Sequence, residues 1–311
     1  YTASTETHDH LEMGATWFGF KHEHLKNLLD ELKLDYFKQF QEGESTLVFN
    51  SMSPPHHFQA DTSAPPSYRI ANGSEALIKS LAKPFNDKIQ LNQLVKETTD
   101  CGDHIEITTH NSVFKANNVL FTIPPRLAAA RILFNPELDN EIKSAMQTTP
   151  TWMEQAIKFV LTFKKPFWRE AGKSGMLISQ IAPVVEVYDH INYSNDQFAL
   201  MGFVNPKLKE YSTRERKEQV ITYLCRYLGE GVSDYLEYKE KDWSLDPFTA
   251  VQASGENMQP NYGNSIFAKP YMNDKLFFIG TETSSVFGGY MEGAVYSGKQ
   301  TAAKIIANMD S

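Results

Sequence analysis

Apolar residues recur with helical spacing in several stretches of the chain. After Gly19 an amphipathic helix is predicted from four leucines that share one face, Leu25, Leu28, Leu29 and Leu32. Ser74 precedes a second apolar stretch and is the predicted N-cap of another helix. The remaining predicted helices are residues 137–148, a helix capped by Thr213 that runs to about Leu228, and a last helix from near Met291 through Ile306.

Alternating or short apolar runs between turn residues predict strands elsewhere. These runs are residues 89–91, 104–108, 119–123, 156–163, 176–179, 184–188, 198–203 and 275–279. The run at 119–123 is apolar enough to predict a fully buried strand, and Asn111-Ser112 predicts the turn of a hairpin. Prolines without periodicity predict a loop from Asn50 to Tyr68. Helices and strands alternate only near the two ends, so the pattern predicts a mixed α/β fold with an antiparallel middle.

Composition narrows the class of protein. A chain of 311 residues that is 41% hydrophobic has enough apolar material for two domains. Its net charge of −8 argues against nucleic-acid binding, which favours a basic surface. Two cysteines, Cys101 and Cys225, exclude a disulfide-dense scaffold and a cysteine-based zinc site. No apolar run is long enough to span a bilayer, so we expect a soluble protein without a membrane partner. Residues 1–12 lack the pattern of a signal peptide, which decides little because a presequence can be removed; the expected location is the cytoplasm.

Six of the nine histidines cluster in the sequence, at His8, His10, His22, His24, His56 and His57. Imidazole is a common metal ligand, but no carboxylate or cysteine lies at a recognisable ligand spacing from these pairs. The histidines therefore predict no metal site.

The segment from residue 277 to residue 295 is the strongest candidate for a ligand site. An apolar strand ends at Gly280, and a helix begins near Met291. Ligands of α/β sheets bind beyond the carboxyl ends of strands, and a helix start offers unpaired N–H groups. Glycines at 288, 289 and 293 allow close approach of the backbone to a ligand. The alternative interpretation is a tight loop that joins a strand to a packed helix.

The run from Gly280 to Gly298, GTETSSVFGGYMEGAVYSG, resembles the C-terminal flavin-binding motif of FAD-dependent amine oxidases of the monoamine oxidase type. Further segments resemble the family in the same order along the chain, at residues 11–19, 68–81, 89–95, 156–168 and 241–243. Together they cover nearly the whole chain outside residues 50–67.

The resemblance implies an FAD-dependent enzyme, and Gln252, at the position where covalent members have a cysteine, predicts non-covalent flavin. Family members oxidise an amine by moving a hydride equivalent to flavin N5; the imine hydrolyses, and oxygen reoxidises the flavin with release of hydrogen peroxide. The implied partners are thus a small-molecule amine and oxygen. The implied cofactor-binding residues are Gly14, Ala15, Thr16, Trp17, Val95, Gly280, Thr281, Glu282, Gly289, Met291 and Ala294.

Three residues take catalytic roles by resemblance. Lys158 would hold a water against the flavin, Trp243 would lie beside the flavin ring, and Tyr290 would form one wall of an aromatic cage for the amine. The pattern alone favours other readings. Alternation would turn Lys158 outward from its strand, and Tyr290 and Trp243 can both be core aromatics.

The chain also departs from the family. Gln252 stands where covalent members attach flavin through cysteine, and Ala253 stands where monoamine oxidases have the second cage aromatic. No GxGxxG motif occurs in the 311 residues, and the first residue is Tyr1 rather than methionine, so we expect a missing N-terminal ADP-binding unit. Two alternatives remain open: a degenerate member without FAD that acts as a binding or scaffold protein, and a second chain that supplies the missing unit.

The resemblance implies an α/β fold with two parts. One part is a layered sheet like that of FAD/NAD(P)-binding domains, in which the N-terminal dinucleotide unit is incomplete. The other part is a substrate domain built on an antiparallel sheet. The expected division assigns residues 1–49, 68–135 and 275–311 to the FAD-binding domain, 50–67 to a linker or shortened insertion, and 136–274 to the substrate domain.

Overall fold

A computed structural model describes the chain over residues 1–61, 63–251 and 262–309. The α-helices of these ranges are α1 Glu23–Glu31, α2 Ser74–Ala82, α3 Pro125–Arg131, α4 Asn140–Thr148, α5 Phe167–Glu170, α6 Thr213–Leu228 and α7 Met291–Met309. Their strands are β1 Thr2–Ala3, β2 Leu11–Glu12, β3 Phe18–Gly19, β4 Tyr36–Lys38, β5 Glu44–Val48, β6 His56–Gln59, β7 Ser67–Ile70, β8 Val95–Asp100, β9 Ile105–Thr109, β10 Val113–Ala116, β11 Val119–Phe121, β12 Leu133–Asn135, β13 Ile157–Phe163, β14 Lys173–Ser179, β15 Val184–Asp189, β16 Phe198–Val204, β17 Tyr238–Asp242 and β18 Leu276–Phe278.

The chain divides into two compact units, each built from separate stretches of sequence. The first unit comprises residues 1–21, 28–83 and 155–243, and the second comprises 22–27, 84–154 and 244–311. The division into an FAD-binding and a substrate domain stays a prediction. None of the helices in the described ranges is long and apolar enough to cross a membrane.

The first unit is built on a large, mostly antiparallel sheet with the strand order β17-β13-β16-β15-β14-β5-β6. Only β14 and β5 pair in parallel in this sheet of described strands. On one face, Phe159 and Leu161 of β13 pack with Trp168 and with Val220 and Leu224 of α6. This arrangement confirms the antiparallel middle of the chain.

The opposite face of the same sheet is covered by the N-terminal segment. Leu11 and Met13 pack there with Val160 of β13 and with Met201 of β16. Every residue of β13 is consequently buried, although a strand with one wet face would bury only alternate residues.

The second unit holds a smaller sheet, β10-β9-β8-β12, and the parallel pair β11-β18. The predicted hairpin is present as β9 and β10. Helices α3 and α4 cover a core that contains Phe121, Ile142 and Phe278. That core supports β18, the strand that leads into the loop at Gly280.

Two sequence predictions of local structure are wrong for the same reason. The predicted strand at 89–91 is absent; a 3-10 helix over Lys83–Lys88 precedes irregular chain in which Leu91 is 76% exposed. The predicted loop from Asn50 to Tyr68 contains β6, which pairs with β5 at the edge of the large sheet, and the first residues of β7. An edge strand is held by backbone pairing, so it needs no apolar alternation. Conversely, the two apolar residues of 89–91 do not form a strand, because they have no partner strand.

The predicted caps and one burial pattern also need correction. Gly73 is the N-cap of α2, and Ser74 instead donates its backbone N–H and its hydroxyl to Glu12. Ser212, rather than Thr213, caps α6 in a capping box with Glu215. The strand predicted at 119–123 is not fully buried, because Leu120 points outward from β11 and is 38% exposed.

Candidate functional site

Lys158, the second residue of β13, is 2% exposed. Its Nζ donates to the Gly14 carbonyl oxygen at 2.9 Å and to Thr16 Oγ1. The outward-facing interpretation is therefore wrong: the side chain lies on the sheet face that the N-terminal segment covers, the face of Val160.

Burial dominates the electrostatics of Lys158. It lowers the pKa of the ammonium from 10.5 to about 7; Glu12 opposes this change, and Arg69 adds to it. The Nζ also lies over the rings of Trp17 and Phe203, at 5.7 and 5.5 Å from their centroids. Near neutral pH this amine can therefore exchange between its charged and neutral forms, which an exposed lysine does not do.

Trp243 lies against the same N-terminal segment. It follows β17 and opens a 3-10 turn, and its Nε1 donates to the Met13 carbonyl at 2.8 Å. A Cβ placed on Gly14 would lie 3.6 Å from the Trp243 ring. Trp17 donates Nε1 to Gln39 at 2.7 Å, while Ala15 is exposed. The first unit thus brings together the predicted Gly14–Trp17 segment, Lys158 and Trp243.

Next to Lys158 lies a buried polar network that the sequence analysis missed. The Glu12 backbone N–H donates to His190 Nε2 at 3.0 Å, and Arg69 donates Nη1 to the Ile191 carbonyl at 2.9 Å. Burial holds the pKa of His190 well below its usual value, and the nearby Arg69 and Lys158 charges lower it further. His190 Nε2 accepts a backbone N–H, which is the arrangement of a neutral imidazole. No signal in the sequence joins residues this far apart.

In the second unit, the loop between β18 and α7 is closed by hydrogen bonds of its own. Thr281 Oγ1 donates to the Tyr290 carbonyl at 2.7 Å, and the Gly289 N–H donates to the Thr281 carbonyl at 3.4 Å. Gly280 and Gly289 have φ values of 136° and 88°, which glycine adopts most readily. The loop leads into the first turn of α7. The first N–H groups of a helix have no acceptor within the helix.

Tyr290 is 45% exposed and is not a core aromatic. Its ring lies 5.7 Å from that of Trp152 and 5.4 Å from that of His22, measured between centroids. Glu282 is buried beside this group and accepts the Trp152 backbone N–H at 3.2 Å, and burial raises its pKa. A Cβ on Gly289 would lie 2.8 Å from the Trp152 ring. Trp152 was not predicted; its proximity to Tyr290 comes only from the fold.

The other predicted site residues of this unit surround the helix start or the core beneath it. Met291 is half-buried and Ala294 is exposed on α7, whereas Val95 begins β8 and packs against the core around Phe278. Between Met291 and Ala294, the buried Glu292 accepts the N–H groups of His24 and Leu25 at 3.0 and 2.7 Å. Glu292 thereby anchors the first turn of α1. The departures at Gln252 and Ala253 lie outside the described residues.

Comparison with known proteins gives one consistent family. Residues 35–306 match the family model described as flavin containing amine oxidoreductase. A flavin-containing amine oxidase from Danio rerio is 30% identical over 254 residues, which cover 78% of this chain and 47% of that protein. Amine oxidase B from Homo sapiens is 27% identical over 252 residues, with the same two coverages. The chain spans about half the length of these curated relatives.

Solved structures show the same fold. Putrescine oxidase with bound putrescine matches with a TM-score of 0.86 at 21% identity, over 99% of this chain and 90% of that one. Cyclohexylamine oxidase from Brevibacterium oxydans matches with a TM-score of 0.87 at 16% identity, over 100% and 91%. These matches confirm the predicted α/β, FAD-binding-like fold.

Proposed function

The chain belongs to the flavin-containing amine oxidoreductase family, and from this premise we propose that it carries the amine-oxidising machinery of an FAD-dependent enzyme. In the proposed reaction an amine is oxidised to an imine, which water hydrolyses, and oxygen is reduced to hydrogen peroxide. Bound FAD would supply the acceptor for the hydride equivalent and return the electrons to oxygen. The observation that carries the proposal is the buried Lys158, whose environment a purely structural lysine would not need.

The residues at the start of α7 fit a flavin ring, which gains negative charge when it accepts a hydride equivalent. The positive φ of Gly280 and Gly289 turns the chain into α7, and the first turn of α7 offers N–H donors and the positive end of the helix dipole. We assign non-covalent flavin contacts to this loop, through Thr281, Glu282, Met291 and Ala294. In the first unit we assign them to Gly14, Ala15, Thr16 and Trp17, and we assign an adenine contact to Val95.

Lys158 would act through a proton. Its Nζ sits between the Gly14 carbonyl and the Thr16 hydroxyl, with a pKa near 7, so it can hold a water molecule or move a proton at Nζ in the physiological range. Trp243 and Tyr290 each present an aromatic ring, and a ring face attracts an amine nitrogen while it is cationic. We propose that these two rings guide the amine.

We retain the predicted division of labour, with residues 1–49, 68–135 and 275–311 for the cofactor and 136–274 for the substrate. We likewise propose a cytoplasmic location. The acidic balance of the chain is compatible with attraction of a cationic amine.

One observation favours a second function. The 311 residues contain no GxGxxG motif, the element that holds the pyrophosphate of FAD in dinucleotide-binding folds. A member that binds no FAD would act as a binding or scaffold protein, and a member completed by another chain would bind FAD only in its presence.

An absorption spectrum separates these functions. We expect the purified full-length protein to show the visible bands of oxidised flavin, and small primary amines to bleach these bands without oxygen. A colourless protein that takes up no added FAD would refute the enzyme function and support the scaffold.

The role of Lys158 has its own test. Lys158→Met should slow reoxidation by oxygen far more than anaerobic reduction by the amine, whereas the control Lys96→Met, on an exposed residue of β8, should change neither. An equal loss in both half-reactions would contradict the assigned role.

A further inference from the structure

The turn between β8 and β9, residues 100–106, gathers three side chains of different ligand types. A ring nitrogen of His104, the Cys101 sulfur and a Glu106 carboxylate oxygen all lie within 4.8 Å of one another. Thiolate, imidazole and carboxylate are the three ligand types that zinc takes from proteins. This cluster is separate from the residues assigned to amine oxidation.

Hydrogen bonds hold the backbone of this turn in place. The Cys101 N–H donates to the His104 carbonyl at 3.0 Å, and the Gly102 N–H donates to Asp100 Oδ1 at 2.9 Å. Gly102 has a φ of 93°, and its carbonyl accepts from Lys275 Nζ at 2.7 Å. The positions from which the three side chains project are therefore set by the backbone, which lowers the entropy cost of bringing them to one ion.

The His104 ring has a defined orientation. Its Nδ1 lies 2.6 Å from Asp103 Oδ1, so the proton of a neutral ring resides on Nδ1 and is donated to the carboxylate. In that tautomer Nε2 carries a lone pair, and it lies 3.5 Å from Glu106 Oε1, close enough for one ion to contact both atoms. A carboxylate on the far nitrogen is also the usual support of a metal-binding histidine.

We propose that Cys101, His104 and Glu106 bind Zn²⁺, with Asp103 orienting His104. Three protein ligands leave the fourth tetrahedral position to water, in keeping with the exposure of Cys101. Lys115 Nζ lies 3.1 Å from Glu106 Oε1 and competes with the ion for that carboxylate. Bound zinc cross-links the two strands at their turn and shields the Cys101 thiol from oxidation.

Metal titration of the full chain tests the proposal, with Co²⁺ as the spectroscopic probe and Zn²⁺ as the competitor. One equivalent of Co²⁺ should produce a thiolate-to-cobalt charge-transfer band, which Zn²⁺ should abolish. Cys101→Ser should remove the band, and Asp103→Ala should weaken Zn²⁺ binding by about 10–100-fold, the usual effect of losing a carboxylate behind a ligating histidine. Lys115→Met should tighten binding, since it removes the competing cation.

The chain offers matched controls. Cys225→Ser removes the other free thiol, and His110→Ala removes an exposed histidine just after β9. Both variants should bind Co²⁺ and Zn²⁺ as the parent chain does. Absence of the band in the parent chain, its survival in Cys101→Ser, or its loss in Cys225→Ser would overturn the proposal. Circular dichroism should show that the Cys101→Ser chain is folded, because its sulfur is exposed and serine changes one atom.

Discussion

Lys158 should make the stability of the first unit depend on pH in a way that its replacement abolishes. The perturbation is Lys158→Met, which keeps the length of the side chain and removes its titrating group. In the folded chain burial lowers the pKa of Lys158 to about 7, whereas the unfolded chain keeps the ordinary value of 10.5. Between these two values the unfolded state binds more protons, so the stability of the parent chain rises with pH.

The size of the effect follows from the two pKa values. Below about pH 7 both states are protonated, and the penalty of the buried charge is fully present and constant. From about pH 7 to about pH 9 the folded chain loses its proton and the unfolded chain does not, so the free energy of unfolding rises by ~2 kcal/mol relative to the variant. The two hydrogen bonds lost with the amine shift the variant equally at both pH values and cancel from this difference.

Urea unfolding followed by tryptophan fluorescence measures the difference. Three of the four tryptophans, Trp17, Trp168 and Trp243, lie in the first unit, so the signal reports mainly on the part that contains Lys158. Lys96→Met, at an exposed position, is the matched control and should track the parent chain at every pH.

A constant difference between the parent chain and Lys158→Met across this pH range would refute the reasoning. It would mean that the ammonium stays charged when buried, and the proton-exchange role proposed for Lys158 would fail with it.

Three further predictions concern the frame around the site, each checked by the same urea unfolding. Arg216 and Glu240 form a buried ion pair at 2.6 Å, so Arg216→Met should lower the free energy of unfolding by about 3–5 kcal/mol, because the Glu240 carboxylate loses its partner. Replacing both residues with apolar ones should restore most of the lost stability. A loss below about 1 kcal/mol for Arg216→Met would contradict this prediction. Gly202→Ala should destabilise the large sheet by about 1–3 kcal/mol, because the added Cβ would lie 2.5 Å from a backbone oxygen; unchanged stability would show that the sheet yields at that point. Ser212→Ala should lower the free energy of unfolding by about 1 kcal/mol and Thr213→Ala by much less, because only Ser212 caps α6. A larger loss for Thr213→Ala would mean that Thr213 is the N-cap.

Elements whose stability depends on their own pattern were predictable from the sequence. Helix α6 places Val220, Leu224 and Leu228 on one stripe, and all three are buried. Strand β13 is a continuous apolar run apart from Lys158 and Thr162, and it forms the predicted strand. Elements that depend on pairing with a distant strand were not predictable. Strand β6 forms because it pairs with the edge of β5, and nothing in the residues His56–Gln59 themselves indicates a strand.

The same distinction applies to the candidate site. Lys158 was singled out only by resemblance to the family, because strand alternation predicted an exposed side chain; its burial requires the cover of the N-terminal segment over the sheet. The contact between Glu12 and His190 joins residues 178 positions apart, which no local pattern encodes. The proposed zinc ligands Cys101, His104 and Glu106 lie close together in the sequence, but the count of two cysteines was taken to exclude a cysteine-based zinc site, and that count does not apply to a site with mixed ligands.

The parallel pairing of β5 with β14 has a consequence for how the protein is made. Ser45 meets its hydrogen-bonding partner Ser174 at a separation of 129 residues, and the whole of residues 84–154 belongs to the other unit. During synthesis β5 can pair with β6 soon after both emerge, but its other edge stays unpaired until β14 has left the ribosome. Such non-local pairing slows folding, and it leaves one edge of β5 open to pairing with other chains during that interval.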